Sequence, residues 1–246
     1  MAMDLSVVVP VKDEEENIAP LIKEICSVLD GLLEYEIVYV DDGSSDQTWE
    51  RLVELSEELS QLKIYRHRRS CGQSIAIHTG VKGACSPLVA TLDGDGQNDP
   101  ADIPRLLEVF NSPVSPIGLQ LVVGHRRKRQ DNWLKRISGQ VANRVRSYLL
   151  KDRTPDTGCG LKLFPRETFL DLPSFDHMHR FLPALILRNG GAVLSVPVNH
   201  RPRKHGQSHY GIWDRLWVGL LDLLGVMWLQ RRTKTAEVEE VKNFES

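Results

Sequence analysis

No stretch of the chain offers the ~18–20 uninterrupted apolar residues of a membrane-spanning helix. The nearest approach, Ile212 to Gln230, carries Asp214, Arg215 and Asp222, so it is expected to lie on a bilayer rather than cross one. Cysteine is scarce: Cys26, Cys71, Cys85 and Cys159, with no pair at zinc-finger spacing. No signal peptide is expected, because the N-terminus runs almost directly into an apolar strand at Leu5. Reduced thiols in the cytosol are the simplest reading. A surplus of charge is also missing: 31 Lys and Arg meet 33 Asp and Glu, a net charge of -2, so nothing global suggests nucleic acid. There is no internal repeat and no low-complexity tract.

The composition that remains, 41% hydrophobic and 26% charged, is ordinary for a globular protein. Charge is uneven locally. Arg126 to Arg153 is basic, while 13–16 and 54–58 are acidic. A basic patch in a neutral chain suits an anionic ligand, or else a solvated helix face.

Leu5–Pro10 and Tyr35–Val40 read as buried strands, rich in β-branched residues. Between them Ile18, Leu21, Ile22, Ile25, Val28, Leu29 and Leu32 keep helical spacing over Asn17–Leu33. Helices at Thr48–Leu59 and Ser74–Ala84 alternate with strands at Lys63–Arg66 and Leu88–Leu92. This alternation predicts right-handed βαβ units and a mostly parallel α/β sheet flanked by helices. After Pro100 the pattern is less regular. Strands are expected at Leu121–Gly124, Gly160–Phe164 and Ala192–Val198, a basic helix at Trp133–Leu150 and a short helix at Phe181–Leu187. The tail from Thr233 is polar and expected to fray.

Open α/β sheets bind ligands beyond the carboxyl ends of their strands. Two acidic clusters sit there. Asp93-Gly94-Asp95 with Gln97 follows the fourth strand, and paired carboxylates with flanking glycines can share a hard cation under a diphosphate. A polar turn of solvated aspartates is the plain alternative. Asp41-Asp42-Gly43-Ser44 follows the second strand, where a carboxylate can hydrogen-bond a nucleobase or ribose, or simply cap a helix. The run His200 to Gly211 crowds cations, small residues and hydroxyls, which suits a phosphate clamp or an exposed basic loop. Pro155 to Gly160 is an acid in a Gly-rich turn. Cys159 has no Cys–His pattern and is not read as a nucleophile.

In this order and spacing the four clusters resemble the polyprenyl-phosphate glycosyltransferases of the large inverting family with the GT-A fold. The resemblance covers about residues 4–230. It implies transfer of a sugar from a UDP- or GDP-linked donor to a polyprenyl phosphate for cell-envelope assembly, with Mg2+ or Mn2+ as cofactor. It also implies the site. Pro10, Lys12, Glu14, Val40 and Asp42 line the nucleotide, although Asp13 stands where the family usually has Asn. Asp93, Gly94 and Asp95 approach the diphosphate, and Asp93, Asp95 and Gln97 hold the metal. Asn98-Asp99-Pro100 stands where His-Pro-Pro is frequent. Arg126 meets phosphate, while Lys135, Arg136 and Thr157 hold the acceptor phosphate. Asp156 stands beside the acceptor. Arg203 and His209 belong to the clamp loop, where His209 replaces a Lys and makes clamping pH-sensitive. Arg201 or Lys204 is expected to supply the missing cation.

The chain is thus expected to divide into a transferase domain at 1–211, an amphipathic helix at 212–232 and a polar tail at 233–246. Trp213, Trp217 and Trp228 among leucines, followed by Arg231, Arg232 and Lys234, fit a helix in the headgroup layer. This places the protein peripherally on the cytoplasmic face of the inner membrane, with a core helix, a dimer helix or a membrane-protein partner as the other readings of that segment. The competing functions are a soluble or polysaccharide acceptor and a non-catalytic nucleotide-sugar binder. The Gln-x-x-Arg-Trp motif of processive synthases is absent, as is the Gly-rich, Lys-bearing first loop of nucleotidyltransferases.

Overall fold

The computed structural model describes residues 3–126, 143–202 and 212–232, with backbone alone for 212–218. Strands β1 (Leu5–Val11) and β2 (Tyr35–Asp41) are buried at every position, which is why both read as continuous apolar runs without alternation. Helix α1 (Ile18–Leu29) buries Ile18, Leu21, Ile22, Ile25 and Leu29. It stops short of the expected Leu33 because Asp30 leaves the helical region and Gly31 takes φ +74°. Helix α2 (Thr48–Glu58), strand β3 (Leu62–Arg66), helix α3 (Gln73–Gly83) and strand β4 (Leu88–Thr91) fall within a residue or so of the expected bounds.

Beyond Pro100 the structure adds elements that the irregular pattern concealed. A turn of 3-10 helix at Pro100–Asp102, opened by Asp99 accepting from the Ala101 N–H, leads into helix α4 (Ile103–Asn111). Strand β5 (Leu119–Arg126) is longer at both ends than expected. Residues 143–150 form helix α5, the described end of the expected basic helix. Strand β6 (Lys162–Pro165), helices α6 (Arg166–Leu170) and α7 (Leu182–Arg188), strand β7 (Ala192–Val198) and helix α8 (Ile212–Arg231) complete the chain.

The seven strands form one sheet in the order β3-β2-β1-β4-β6-β5-β7. All neighbours are parallel except β6, which runs antiparallel to both β4 and β5. The reversal positions the site. Thr91 near the end of β4 and Val123 in β5 both pair with Lys162 at the start of β6, and Arg126 pairs with Val198 at the end of β7. One sheet edge therefore gathers the carboxyl ends of β1, β2, β4, β5 and β7 with the amino end of β6. Apolar cores fill both faces. One contains Ile22, Ile25, Leu52 and Ile103; the other contains Ile77, Val81, Phe169, Leu185 and Val226. Among the described residues no helix is long and apolar enough to cross a membrane.

A candidate nucleotide-sugar site at the sheet edge

The turn after β4 is held from within. The Asp93 N–H donates to Asn98 Oδ1 (3.0 Å) and the Gln97 N–H to Asp95 Oδ1 (3.1 Å). Gln73 at the start of α3 donates to Asp93 Oδ1 (2.7 Å). The backbone at Gly160 passes so close that a Cβ there would meet the Asp93 carboxyl at 2.2 Å. Burial first, and then the charge of Asp95, push the Asp93 carboxyl up to about 6, against the pull of Lys162 and Arg126. The protein thus concentrates negative charge that it only partly neutralises. The two carboxylates of this turn, with the Gln97 amide in the same turn, offer hard oxygen donors of the kind that fits Mg2+ or Mn2+.

Opposite lies an ion pair whose partners are 30 residues apart. Arg126 at the end of β5 donates from Nε to Asp156 Oδ2 (2.6 Å) and from an Nη to Oδ1 (2.8 Å). Such a two-point pair fixes the guanidinium plane. Its carboxylate raises the Arg126 pKa further even though burial alone lowers it. Asp156 and Thr157 are both buried. Cys159 is buried as well, and its thiol is pushed up to about 11 by that burial, in keeping with an inert side chain.

At the end of β2, Asp41 accepts from the Ser44 N–H (2.9 Å) and pairs with Arg66 (3.1 Å). Asp42 is occupied more fully than expected of a base contact. It accepts from the Cys71 and Gly72 N–H groups and the Ser70 hydroxyl, each at 2.8 Å, and faces His67 Nδ1 at 2.7 Å. Burial alone raises its pKa, but these bonds together hold it below the ordinary carboxylate value. Within the chain Asp42 organises the loop 67–72. Pro10 pairs in register with Val40, both are buried, and Lys12 is exposed just beyond β1. Asp13 takes φ +54°, a left-handed conformation that Asp and Asn tolerate better than other side chains, so its stand-in for Asn has a backbone reason. Glu14 is buried, with its N–H on Thr48 Oγ1 and its carboxylate accepting from Asn17 (2.6 Å).

Residues 199–201 run beside the metal-type turn: Asn98 bridges His200, and the Arg201 N–H donates to the Gln97 carbonyl (3.0 Å). Arg201 was expected as a spare phosphate cation. It is instead paired with Glu24 (2.5 Å) and Asp99 (2.7 Å), which ties this segment to α1. Lys135, Arg136, Arg203, Lys204 and His209 lie outside the described residues.

Behind Asp93 opens a cavity of about 330 Å³ whose walls include Gln73, Arg126, Lys162, His179 and Arg180. Of these only Arg126 was expected at the site. The signal available for Lys162 was a lone charge in a strand otherwise apolar. Gln73, His179 and Arg180 carried none, because only the fold brings α3 and the segment before α7 to β4.

Sheet order, edge position and paired acids define a glycosyltransferase of the GT-A class. The chain belongs to glycosyl transferase family 2, whose model matches residues 6–172. Within that family it stands with the polyprenyl-phosphate sugar transferases. It is 34% identical over 238 residues to dodecaprenyl-phosphate galacturonate synthase of Rhizobium johnstonii, covering 94% of this chain and 68% of that protein. It is 33% identical over 210 residues to undecaprenyl-phosphate 4-deoxy-4-formamido-L-arabinose transferase of Edwardsiella ictaluri, covering 85% of this chain and 63% of that one. The chain thus spans about two thirds of the length of these relatives. In fold it matches glucosyl-3-phosphoglycerate synthase of Mycobacterium tuberculosis, solved with Mn2+, UDP and glucosyl-3-phosphoglycerate. The TM-score is 0.69 at 19% identity, over 93% of this chain and 80% of that one. The same enzyme solved with Mg2+ and UDP gives the same score.

Proposed function

We propose that the chain moves one sugar from a nucleoside-diphosphate donor onto a polyprenyl phosphate, inverting the anomeric centre, while bound peripherally to the cytoplasmic face of the inner membrane. The observation that carries this reading is the facing of the Asp93–Asp95 turn and the Arg126–Asp156 pair across one sheet edge. The nucleotide lies over Pro10, Lys12, Glu14, Val40 and the loop organised by Asp42. Asp93, Asp95 and Gln97 hold Mg2+ or Mn2+, which when bound offsets the negative charge on the departing diphosphate. The attacking group is a phosphate monoester with a second pKa of about 6, already largely dianionic at neutral pH. It needs orientation more than a base. Arg126, held by Asp156, presents a fixed guanidinium to it, with Thr157 beside them and Lys135 and Arg136 completing the anion site. Arg203 and His209 are assigned to the donor's phosphates on the resemblance alone.

The route for the lipid follows from α5 and α8. The start of α5 is tied to the segment before Asp156 by Asn143 Nδ2 on the Pro155 carbonyl (2.7 Å). Its far end accepts, through the Leu150 carbonyl, from Gln230 of α8 (3.0 Å). Both helices expose apolar side chains, Val145, Tyr148 and Leu149 on one and Leu220, Leu221, Leu224 and Trp228 on the other. That surface begins beside the acceptor site and suits an acyl boundary.

The test incubates the protein with undecaprenyl phosphate, labelled UDP- and GDP-sugars and Mg2+ or Mn2+, then counts label in the organic phase. Transfer from one donor, abolished by EDTA and by Asp95→Ala in a folded variant, is the expected result. Donor hydrolysis with no label in lipid, where a working relative labels it, overturns the reading. The two relatives' names carry different sugars, so the sugar has to be read from this chain's own pocket.

A further inference from the structure

Lys162 is a buried charge that the reading above does not use. It is 3% exposed, and its ammonium donates to the Cys159 carbonyl. Among the described residues that carbonyl is its one hydrogen-bonding partner, and no carboxylate oxygen pairs with it. Burying an ammonium with so little compensation is costly. Asp93 and Asp156 attract it from a distance. The first belongs to the metal and the second is committed to Arg126, so with the site loaded neither neutralises Lys162.

The ammonium borders the cavity behind Asp93. Asp93 and Arg126 both line that cavity and Asp95 does not, so the cavity adjoins the diphosphate-binding turn at Asp93. Ile77, Leu92 and Leu182 supply an apolar floor, and Gln73 and His179 supply polar groups for hydroxyls. Arg126 and Arg180 add positive charge to the walls. The donor's phosphates belong on the cation at Asp93 and Asp95, and the lipid phosphate belongs with Arg126. The portion of the donor left for the cavity is the sugar.

We infer that Lys162 reads a carboxylate on that sugar, and that the donor is a nucleoside-diphosphate uronic acid. The inference rests on the donor reading above and deepens it. A charge-assisted bond made by a buried lysine discriminates by about 10- to 100-fold against a neutral hydroxymethyl group at the same position.

The experiment compares UDP- and GDP-linked uronic acids with the matching neutral hexoses, in lipid transfer and, separately, in calorimetric binding with Mn2+. Wild type should prefer the uronate by that factor in kcat/KM and in Kd. Lys162→Met should bring the uronate-to-hexose ratio to within about threefold, and Lys162→Arg should restore most of it. A wild-type preference for the neutral sugar overturns the inference. So does a Lys162→Met variant, folded by its melting curve, that loses both donors equally, since a purely structural or phosphate-directed lysine behaves that way. If no donor labels lipid, the acceptor reading falls while the binding ratios still decide the role of Lys162.

Discussion

At the scale of single residues, close approach and burial leave little room for substitution. A methyl group at Gly160 has to displace the Asp93 carboxyl, which is fixed by Gln73 and by the turn through Asn98. Gly160→Ala should therefore lower kcat/KM by about 100-fold, the scale of a misplacement near 1 Å at a reacting centre, and cost about 1–3 kcal/mol of stability through overpacking. Activity near wild type in a folded Gly160→Ala protein would refute the placement of Asp93 at the metal. His179 gives a pH-dependent counterpart. Its N–H donates to Ser74 Oγ (3.3 Å), which frees the Ser74 hydroxyl to donate to its Nδ1 (2.7 Å), a neutral arrangement. Burial, with Lys162, Arg180 and His177 nearby, drives its pKa well below 6.5. In the unfolded chain the same imidazole takes up a proton below about 6.5, so the unfolded state binds more protons there. The folded state then loses stability as pH falls from about 6.5, at up to ~1.4 kcal/mol per pH unit. Asp93, raised to about 6 in the folded state, acts with the opposite sign in this window, so the slope is read as a difference: urea unfolding between pH 7 and 5 should lose stability more steeply in wild type than in His179→Gln. Equal slopes in the two proteins would mean that His179 is not held neutral.

At the scale of elements, loops at the sheet edge are held by single carboxylates. Asp42 holds four donors of the loop 67–72, so Asp42→Ala leaves the N–H and hydroxyl groups of a partly exposed loop without their charged acceptor. A loss of about 2–4 kcal/mol in denaturant unfolding is expected, with a raised KM for the donor. A loss below about 1 kcal/mol would show that water replaces those contacts. The first half of the chain was legible because β1, β2 and β4 are buried on both faces and written as β-branched runs. Helix α4 was not, although Pro104 in its first turn is a start signal, because Pro100 and Pro104 together break the apolar rhythm before it is established. Both Arg126 and Asp156 were flagged, yet their pairing was not. It depends on β6 running antiparallel, and strand direction leaves no trace in a five-residue pattern. Lys162 and His179 were missed for the same reason: they become site residues only when β6 and the segment before α7 are laid against β4.

At the scale of the whole molecule, the question is how a transferase with no membrane-crossing helix among its described residues reaches a lipid. Helix α8 is the surface proposed for that contact. It buries Leu223 and Val226 in the core under α7, and Arg188 donates to its Leu229 carbonyl (3.1 Å), so it is anchored to the domain. Beside these, α8 still exposes Leu221, Leu224 and Trp228, the last at 59%, and α5 exposes Tyr148 at 82%. Over its described side chains the helix uses part of its circumference for the core and leaves apolar residues bare beside it. It suits a domain seated on a bilayer, with the Arg126–Asp156 edge turned toward the lipid. Each half-exposed leucine or tryptophan that enters the acyl boundary contributes on the order of 1 kcal/mol. The double variant Leu224→Glu, Trp228→Glu should therefore weaken sedimentation with vesicles containing anionic lipid by at least about tenfold, since it also adds two repelled charges. Transfer to a short, water-soluble polyprenyl phosphate should hold in the same variant, because neither residue touches the donor cavity. Unchanged vesicle binding would move the membrane contact away from α8, and equal loss on the soluble acceptor would make the face part of the acceptor site itself.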